Sequence, residues 1–182
     1  MIARTLAAFS VLALATMPAH AELKKGAAAP MFVANGAQAG KPIRFDLKQA
    51  LKKGPVVLYF FPAAFTPGCN IEAAAFAQAI PDFKKAGATV VGLTMGNVDQ
   101  LSDFSSKHCA GQFPVAVADN KIKAEYDVDL KKPDGTSTGW TDRTTYVISR
   151  SGKIVLAYSA TKPDDHITNS LAAVKALKGK KG

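Results

Sequence analysis

Pro55-Val56-Val57-Leu58-Tyr59-Phe60-Phe61-Pro62-Ala63-Ala64-Phe65-Thr66-Pro67-Gly68-Cys69 is the stretch on which the reading of this chain turns. Its first seven residues form a continuous apolar, partly β-branched run behind Lys52-Lys53-Gly54, the pattern of a central strand buried on both faces. Turn-forming Pro and Gly follow, and Cys69 stands where a helix begins. From there to Ala86, Ile71, Ala74, Ala75, Phe76, Ala79, Ile80 and Phe83 recur at helical spacing, with Pro81 expected to kink or break the helix and Gly87 to stop it. A helix N-terminus offers unpaired N–H groups and the positive end of the helix dipole. Both favour a thiolate, the nucleophilic form of cysteine. On position alone Cys69 could equally be a small buried hydrophobe or half of a structural disulfide.

Outward from this core the chain alternates strands and helices with no repeat and no low-complexity linker, so the class is α/β. Ala88 to Met95 reads as the next strand, Asp99 to His108 as a helix, Val115 to Ala118 as a short strand, and Ile122 to Tyr126 as a helical turn. Asp129 to Asp142 is a polar segment whose Pro133-Asp134-Gly135 signals a turn. Thr144 to Ser149 and Lys153 to Ser159 flank Ser151-Gly152 as a hairpin, and Pro163 to Leu177 is a last helix with Ile167, Leu171, Val174 and Leu177 inward. Tyr59, Phe61, Phe65 and Trp140 are read as packing, Phe65 also as a lining of the site entrance.

At the other end, Arg4 precedes an uncharged apolar run from Leu6 to Met17, and Ala19-His20-Ala21 supplies a small-x-small cleavage pattern. Residues 1–21 are therefore expected to be a signal peptide, the run being shorter than the roughly 20 apolar residues of a membrane helix. Residues 22–182 are read as one exported domain, in a bacterial periplasm, without stable membrane insertion. The formal net charge of +9 comes from scattered doublets such as Lys24-Lys25, Lys84-Lys85 and Lys131-Lys132. With no basic helix face, it points to a solvated surface and away from nucleic acid. Cys69 and Cys109 are the only cysteines, in no CxxC, and the histidines are far apart in sequence, so no metal site and no cofactor are expected.

Pro62, Thr66 and Cys69, spaced PxxxTxxC and extended by Glu72 to TxxCxxE, resemble the signature of the peroxiredoxin family. Arg143-Thr144-Thr145-Tyr146-Val147-Ile148 and Ser151-Gly152-Lys153-Ile154 resemble its arginine-bearing strand and the hairpin after it. Phe65-Thr66-Pro67-Gly68-Cys69, with Phe83-Lys84-Lys85-Ala86-Gly87-Ala88, is similar to the bacterioferritin-comigratory, or Q-type, branch. The resemblance implies a thioredoxin-like fold, a central mixed β-sheet flanked by helices. It also implies a thiol-dependent peroxidase that reduces hydrogen peroxide and organic hydroperoxides. On this likeness Cys69 is the peroxidatic nucleophile, Thr66 binds the peroxide, and Arg143 stabilises thiolate and developing charge. Pro62 would shield the pocket and Glu72 would orient Arg143. The implied partners are a hydroperoxide and a thiol reductant, either a thioredoxin-like protein or a small thiol, acting on a monomer or homodimer.

The chain departs from the branch at Ala74, where many Q-type members carry a second cysteine. Cys109 is then the one remaining thiol that could resolve a Cys69 sulfenic acid, which would require local unwinding of the first helix if the two sulfurs start apart. Asp129 to Asp142 also differs from the family pattern. Two rival readings stand beside the peroxidase. An exported thiol-disulfide oxidoreductase would place CxxC at this turn, where Thr66 replaces the first cysteine. A non-enzymatic domain would keep Cys69 and Cys109 as a permanent staple worth about 4 kcal/mol.

Overall fold

The computed structural model describes residues 23–179, so the expected signal peptide lies outside the described residues. The apolar run folds as strand β3 (Val56–Phe60), every residue of which is buried. Its side chains alternate between two cores. Val56, Leu58 and Phe60 enter one, and Val57 and Tyr59, with Phe61 beyond the strand, enter the other. This two-sided burial is why the run carries no polar alternation.

Around β3 lie β1 (Val33–Gln38), β2 (Lys41–Asp46), β4 (Thr89–Thr94), β5 (Val115–Val117), β8 (Thr144–Ile148) and β9 (Ile154–Ser159). They form one seven-stranded sheet in the order β2-β1-β5-β4-β3-β8-β9. Strands β5, β4 and β3 are parallel, while β1 and β2 on one side and β8 and β9 on the other run antiparallel. The mixed sheet is covered on one face by α1 (Leu47–Lys53) and α4 (Asn120–Glu125), whose Leu47, Leu51 and Ile122 join the first core. The other face carries α2 (Pro67–Lys85), α3 (Leu101–Lys107) and α5 (Asp164–Gly179), around Phe76, Phe83, Phe104 and Val174.

The elements expected from Pro55 onward form, with three differences. Helix α2 runs through Pro81 without ending, from Pro67 to Lys85. Proline removes one helical hydrogen bond and costs about 3 kcal/mol in a helix interior. Ile80 and Phe83, on either side, are both buried in the second core, and their burial holds the helix together across it. The polar segment after Asp129 forms a separate two-stranded ribbon, β6 (Asp129–Lys131) with β7 (Ser137–Thr141), around the Pro133-Asp134-Gly135 turn. Trp140 on that ribbon is 40% exposed and does not belong to either core, contrary to its reading as packing.

The antiparallel register of β3 with β8 sets Phe60 opposite Thr144. The end of the buried strand, which leads into the Cys69 loop, therefore lies beside the start of β8, which Arg143 immediately precedes. Residues 74 positions apart in sequence are brought to one end of the sheet by this pairing.

Candidate functional site

The loop between β3 and α2 is held by the loop after β4. Thr94 Oγ1 donates to the Pro62 carbonyl at 2.9 Å, the Ala64 N–H donates to Gly96 O at 3.2 Å, and Asn97 Nδ2 donates to Ala64 O at 2.8 Å. From the ribbon side, Thr141 Oγ1 donates to Phe61 O at 2.7 Å. Phe65 takes a left-handed backbone conformation, φ 61°, which costs a non-glycine residue about 1 kcal/mol or more and persists only where neighbours enforce it. Its ring packs edge-on against Phe104 and His108, with centroids 5.6 and 5.3 Å away.

Thr66 occupies the N-cap position of α2, yet its side chain makes no capping bond. Its Oγ1 instead donates to Ala63 O at 3.0 Å, which leaves the oxygen's lone pairs uncommitted. Pro67 follows as the first helical residue, where its missing N–H costs nothing. The N–H groups of Gly68 and Cys69 lie in the first turn, where a helix offers no internal acceptor.

Cys69 is buried, 1% exposed, and Arg143 Nη2 donates to its Sγ at 3.5 Å. The other guanidinium nitrogens are also occupied: Nε donates to Thr161 O at 3.0 Å and Nη1 pairs with Glu72 Oε2. Glu72 is fully buried one helical turn after Cys69, and burial pushes its carboxyl up to about 8 against the pull of Arg143. Burial by itself would lower Arg143, but the charges of Glu72 and Cys69 raise it, so the guanidinium keeps its charge. Gly68 allows the close approach: a Cβ there would lie 3.2 Å from Arg143 Nη2.

Cys69, Arg143 and Glu72 are thus brought into one contact chain, with Thr66 at the cap three residues before the sulfur. Pro62 ends the strand and is linked to the site through its carbonyl. Cys109 is not joined to Cys69; both are free, buried thiols in the same apolar core. Burial also pushes the Cys109 thiol up. The buried Tyr59 ring, stacked at 4.5 Å on Phe76, places its hydroxyl within electrostatic reach of both thiols. Among the described residues no group of three or more potential metal ligands occurs, and no helix is long and apolar enough to cross a membrane.

A profile of the AhpC/TSA family matches residues 25–157. The chain belongs to that family. It is 35% identical over 161 residues to the chloroplastic peroxiredoxin Q of Sedum lineare, covering 87% of this chain and 81% of that one. With the Arabidopsis thaliana chloroplastic peroxiredoxin Q it shares 36% over 157 residues, 86% of this chain and 69% of the relative. The crystal structure of peroxidoxin BcpB from Mycobacterium tuberculosis is similar with a TM-score of 0.72 and 30% identity, over 85% of this chain and 98% of that chain. The Xanthomonas campestris bacterioferritin comigratory protein, described with its alkyl peroxide reduction activity, is similar with a TM-score of 0.67 and 29% identity, over 79% and 91%. This peroxiredoxin therefore has the family's thioredoxin-like fold and is a thiol-dependent peroxidase, with a peroxide substrate and a thiol reductant.

Sequence reasoning did not find Thr94, Asn97, Thr141, Thr145, Thr161 or His166 around the site. The first three hold loop carbonyls across strand pairings that periodicity does not define. His166 did carry a signal: with Ser170 and Val174 it forms an i, i+4, i+8 line, and all three are buried on α5. Ile167, Leu171 and Leu177, read as the inward face, pack against the core only partly buried.

Proposed function

We propose that Cys69 is the peroxidatic cysteine of this peroxiredoxin, carried by one observation above the others: Arg143 reaches its sulfur while fixed by Glu72 and Thr161. The sulfur attacks the distal oxygen of a hydroperoxide, the O–O bond breaks, and the alkoxide or hydroxide leaves and takes up a proton. The products are a Cys69 sulfenic acid and an alcohol or water. Arg143 serves the charge that builds on the oxygens, acting where it is already held, so little reorganisation is needed as the bond breaks. The Thr66 hydroxyl, donating to Ala63, is free to accept from the proton-bearing peroxide oxygen. Pro62 walls the pocket at the strand end, and Glu72 orients Arg143.

Cys109 is proposed as the resolving cysteine. Its thiol condenses with the Cys69 sulfenic acid, forming one S–S bond and releasing water, and a thiol reductant then returns both thiols. The similar Xanthomonas campestris peroxiredoxin Q has been described in two variants, each with a different cysteine replaced by serine. Here Cys109 is buried at the end of α3, its N–H donating to Phe104 O at 3.2 Å, so resolution requires the first turn of α2 or the end of α3 to open. Non-reducing peptide mapping after one equivalent of peroxide is expected to find a Cys69–Cys109 peptide pair. A free Cys109 beside a sulfenic Cys69, or Cys69 bridged to another molecule, would refute this step and leave the peroxidase untouched.

We further propose that the protein works outside the cytosol, in a periplasm, on the composition of residues 1–21. N-terminal sequencing of the protein recovered from a periplasmic extract is expected to begin at Glu22. A protein beginning at Met1 and confined to the cytosolic fraction overturns export.

A further inference from the structure

Behind the reacting centre lies a buried histidine that the chemistry above does not use. His166, in the first turn of α5, is fully buried, and its Nε2 is 2.9 Å from Ala160 O. A carbonyl can only accept, so Nε2 carries the hydrogen. Burial pushes the imidazole down from its ordinary value, so the ring is neutral and Nδ1 receives the Thr145 hydroxyl at 2.8 Å. Thr145 stands in β8, two residues after Arg143.

Two routes lead from this ring to Arg143. The carbonyl held by His166 belongs to Ala160, and the next carbonyl, Thr161 O, is the acceptor for Arg143 Nε. The second route runs through Glu72. His166 Nδ1 stands 3.9 Å from Glu72 Oε1, too far for a hydrogen bond, and Oε1 has no donor among the described residues. The ring and Glu72 are both fully buried and adjacent, and the carboxyl group has Arg143 as its one hydrogen-bonding partner among the described residues. The remaining charged or titratable groups near the ring, among the described residues, are Asp142 and Arg143 just before β8, Asp165 on α5, and Tyr158 of β9, whose ring meets it edge-on at 4.8 Å.

We propose that His166 is a positioning residue for the peroxidatic centre: it holds the Ala160 carbonyl, next in the chain to the Thr161 carbonyl that receives Arg143, and packs behind Glu72, and through both it fixes the Arg143 guanidinium against the Cys69 sulfur. The proposal rests on the reading of Cys69 and Arg143 given above. It assigns α5, remote in sequence from the cysteine loop, a part in setting the arginine that meets the substrate. A shift of about 1 Å in such a group costs up to a hundredfold in rate.

Two substitutions separate this role from simple packing. His166→Gln can still reach the Ala160 carbonyl with an amide N–H, whereas His166→Asn can accept from Thr145 but is too short for Ala160. The measurements are the second-order rate with hydrogen peroxide and the pH profile of Cys69 alkylation, read by mass spectrometry of the Cys69 peptide on the folded fraction. His166→Asn is expected to lower the rate about tenfold or more and to move the profile to higher pH, and His166→Gln to recover most of both. Partial unfolding changes the amplitude of the profile and not its position. A wild-type profile in His166→Asn, or a Gln variant no better than the Asn variant, overturns the proposal. Cys69→Ser run alongside distinguishes the two failures: inactivity there leaves the nucleophile standing while His166 falls, and activity there removes the reading of the whole centre.

Discussion

Cys69→Ser is expected to abolish peroxide reduction and to leave the fold in place. A serine hydroxyl ionises far less readily than a thiol, so it presents almost no anionic nucleophile to the O–O bond, and no other group at the helix start can replace it. The substitution keeps the position of the side chain and changes one atom. The buried Arg143–Glu72 pair keeps both its members, and the guanidinium can donate to the serine oxygen where it donated to sulfur. Thermal unfolding should therefore stay within a few degrees of wild type, a change corresponding to about 1 kcal/mol. The decisive measurement is peroxide consumption in single turnover without added reductant, which separates attack by Cys69 from every later thiol exchange. Undiminished consumption in the folded variant would end the peroxidatic reading. It would also require Cys109 to be the nucleophile, although burial pushes that thiol up and hides it. The staple reading meets the same test from the other side, since the structure holds both cysteines as free thiols.

The parts of this site that could be read in the sequence are the parts made locally. A continuous apolar run can bury both faces only as an inner strand, and Val56 to Phe60 do so. A Pro-Gly-Cys sequence before a helical pattern places the cysteine in the first turn, and Cys69 is there. The helix period sets Glu72 one turn beyond Cys69, but its part in the site comes only from the TxxCxxE resemblance. The rest depends on which strands become neighbours. Strands β1 and β2 belong to this part: β1 is built largely of small residues, and its hairpin with β2 is set by the Ala39-Gly40 turn, where both residues take left-handed conformations at φ 51° and 76°. Likewise, an isolated histidine in an amphipathic helix tells nothing of its partners until α5 has docked across β8. The Glu72 carboxyl reads as an ordinary first-turn acid for the same reason, and only the packing of α2 against α5 and β8 makes it a buried one. Pro81 shows the limit of a local rule, because tertiary burial of Ile80 and Phe83 outweighs one lost helical bond.

Arg143→Met should slow attack on peroxide by a factor on the order of 10² or more, the scale of losing one preorganised donor to a developing oxyanion. Methionine retains much of the length and apolar stem of arginine but makes none of its three contacts, to Cys69 Sγ, Glu72 Oε2 and Thr161 O. The loss has two parts that can be told apart. One is the missing charge opposite the reacting oxygens, which lowers the rate at every pH. The other is the Glu72 carboxyl left buried without a partner, and breaking a buried pair in this way costs about 3–5 kcal/mol if the remaining group stays charged. Glu72 escapes part of that cost by keeping its proton, since burial alone already holds its carboxyl above the usual range. A buried acid whose folded value lies above its unfolded one contributes stability at low pH that is lost as pH rises towards the folded value. With the opposing guanidinium removed, that folded value moves higher still. The stability of Arg143→Met is therefore expected to fall as pH rises from about 5, as that of the wild type does, but to go on falling beyond about 8, where the wild type levels off. The double variant Arg143→Met with Glu72→Gln should remove that pH slope and recover stability without recovering rate. Thr66→Val, which removes an acceptor for the peroxide proton but leaves the buried pair alone, should also slow attack on the order of 10² with an unchanged pH dependence of stability. A near wild-type second-order rate for Arg143→Met would take the guanidinium out of the chemistry, and rescue of the rate by Glu72→Gln would mean that the arginine serves only to neutralise a buried carboxylate.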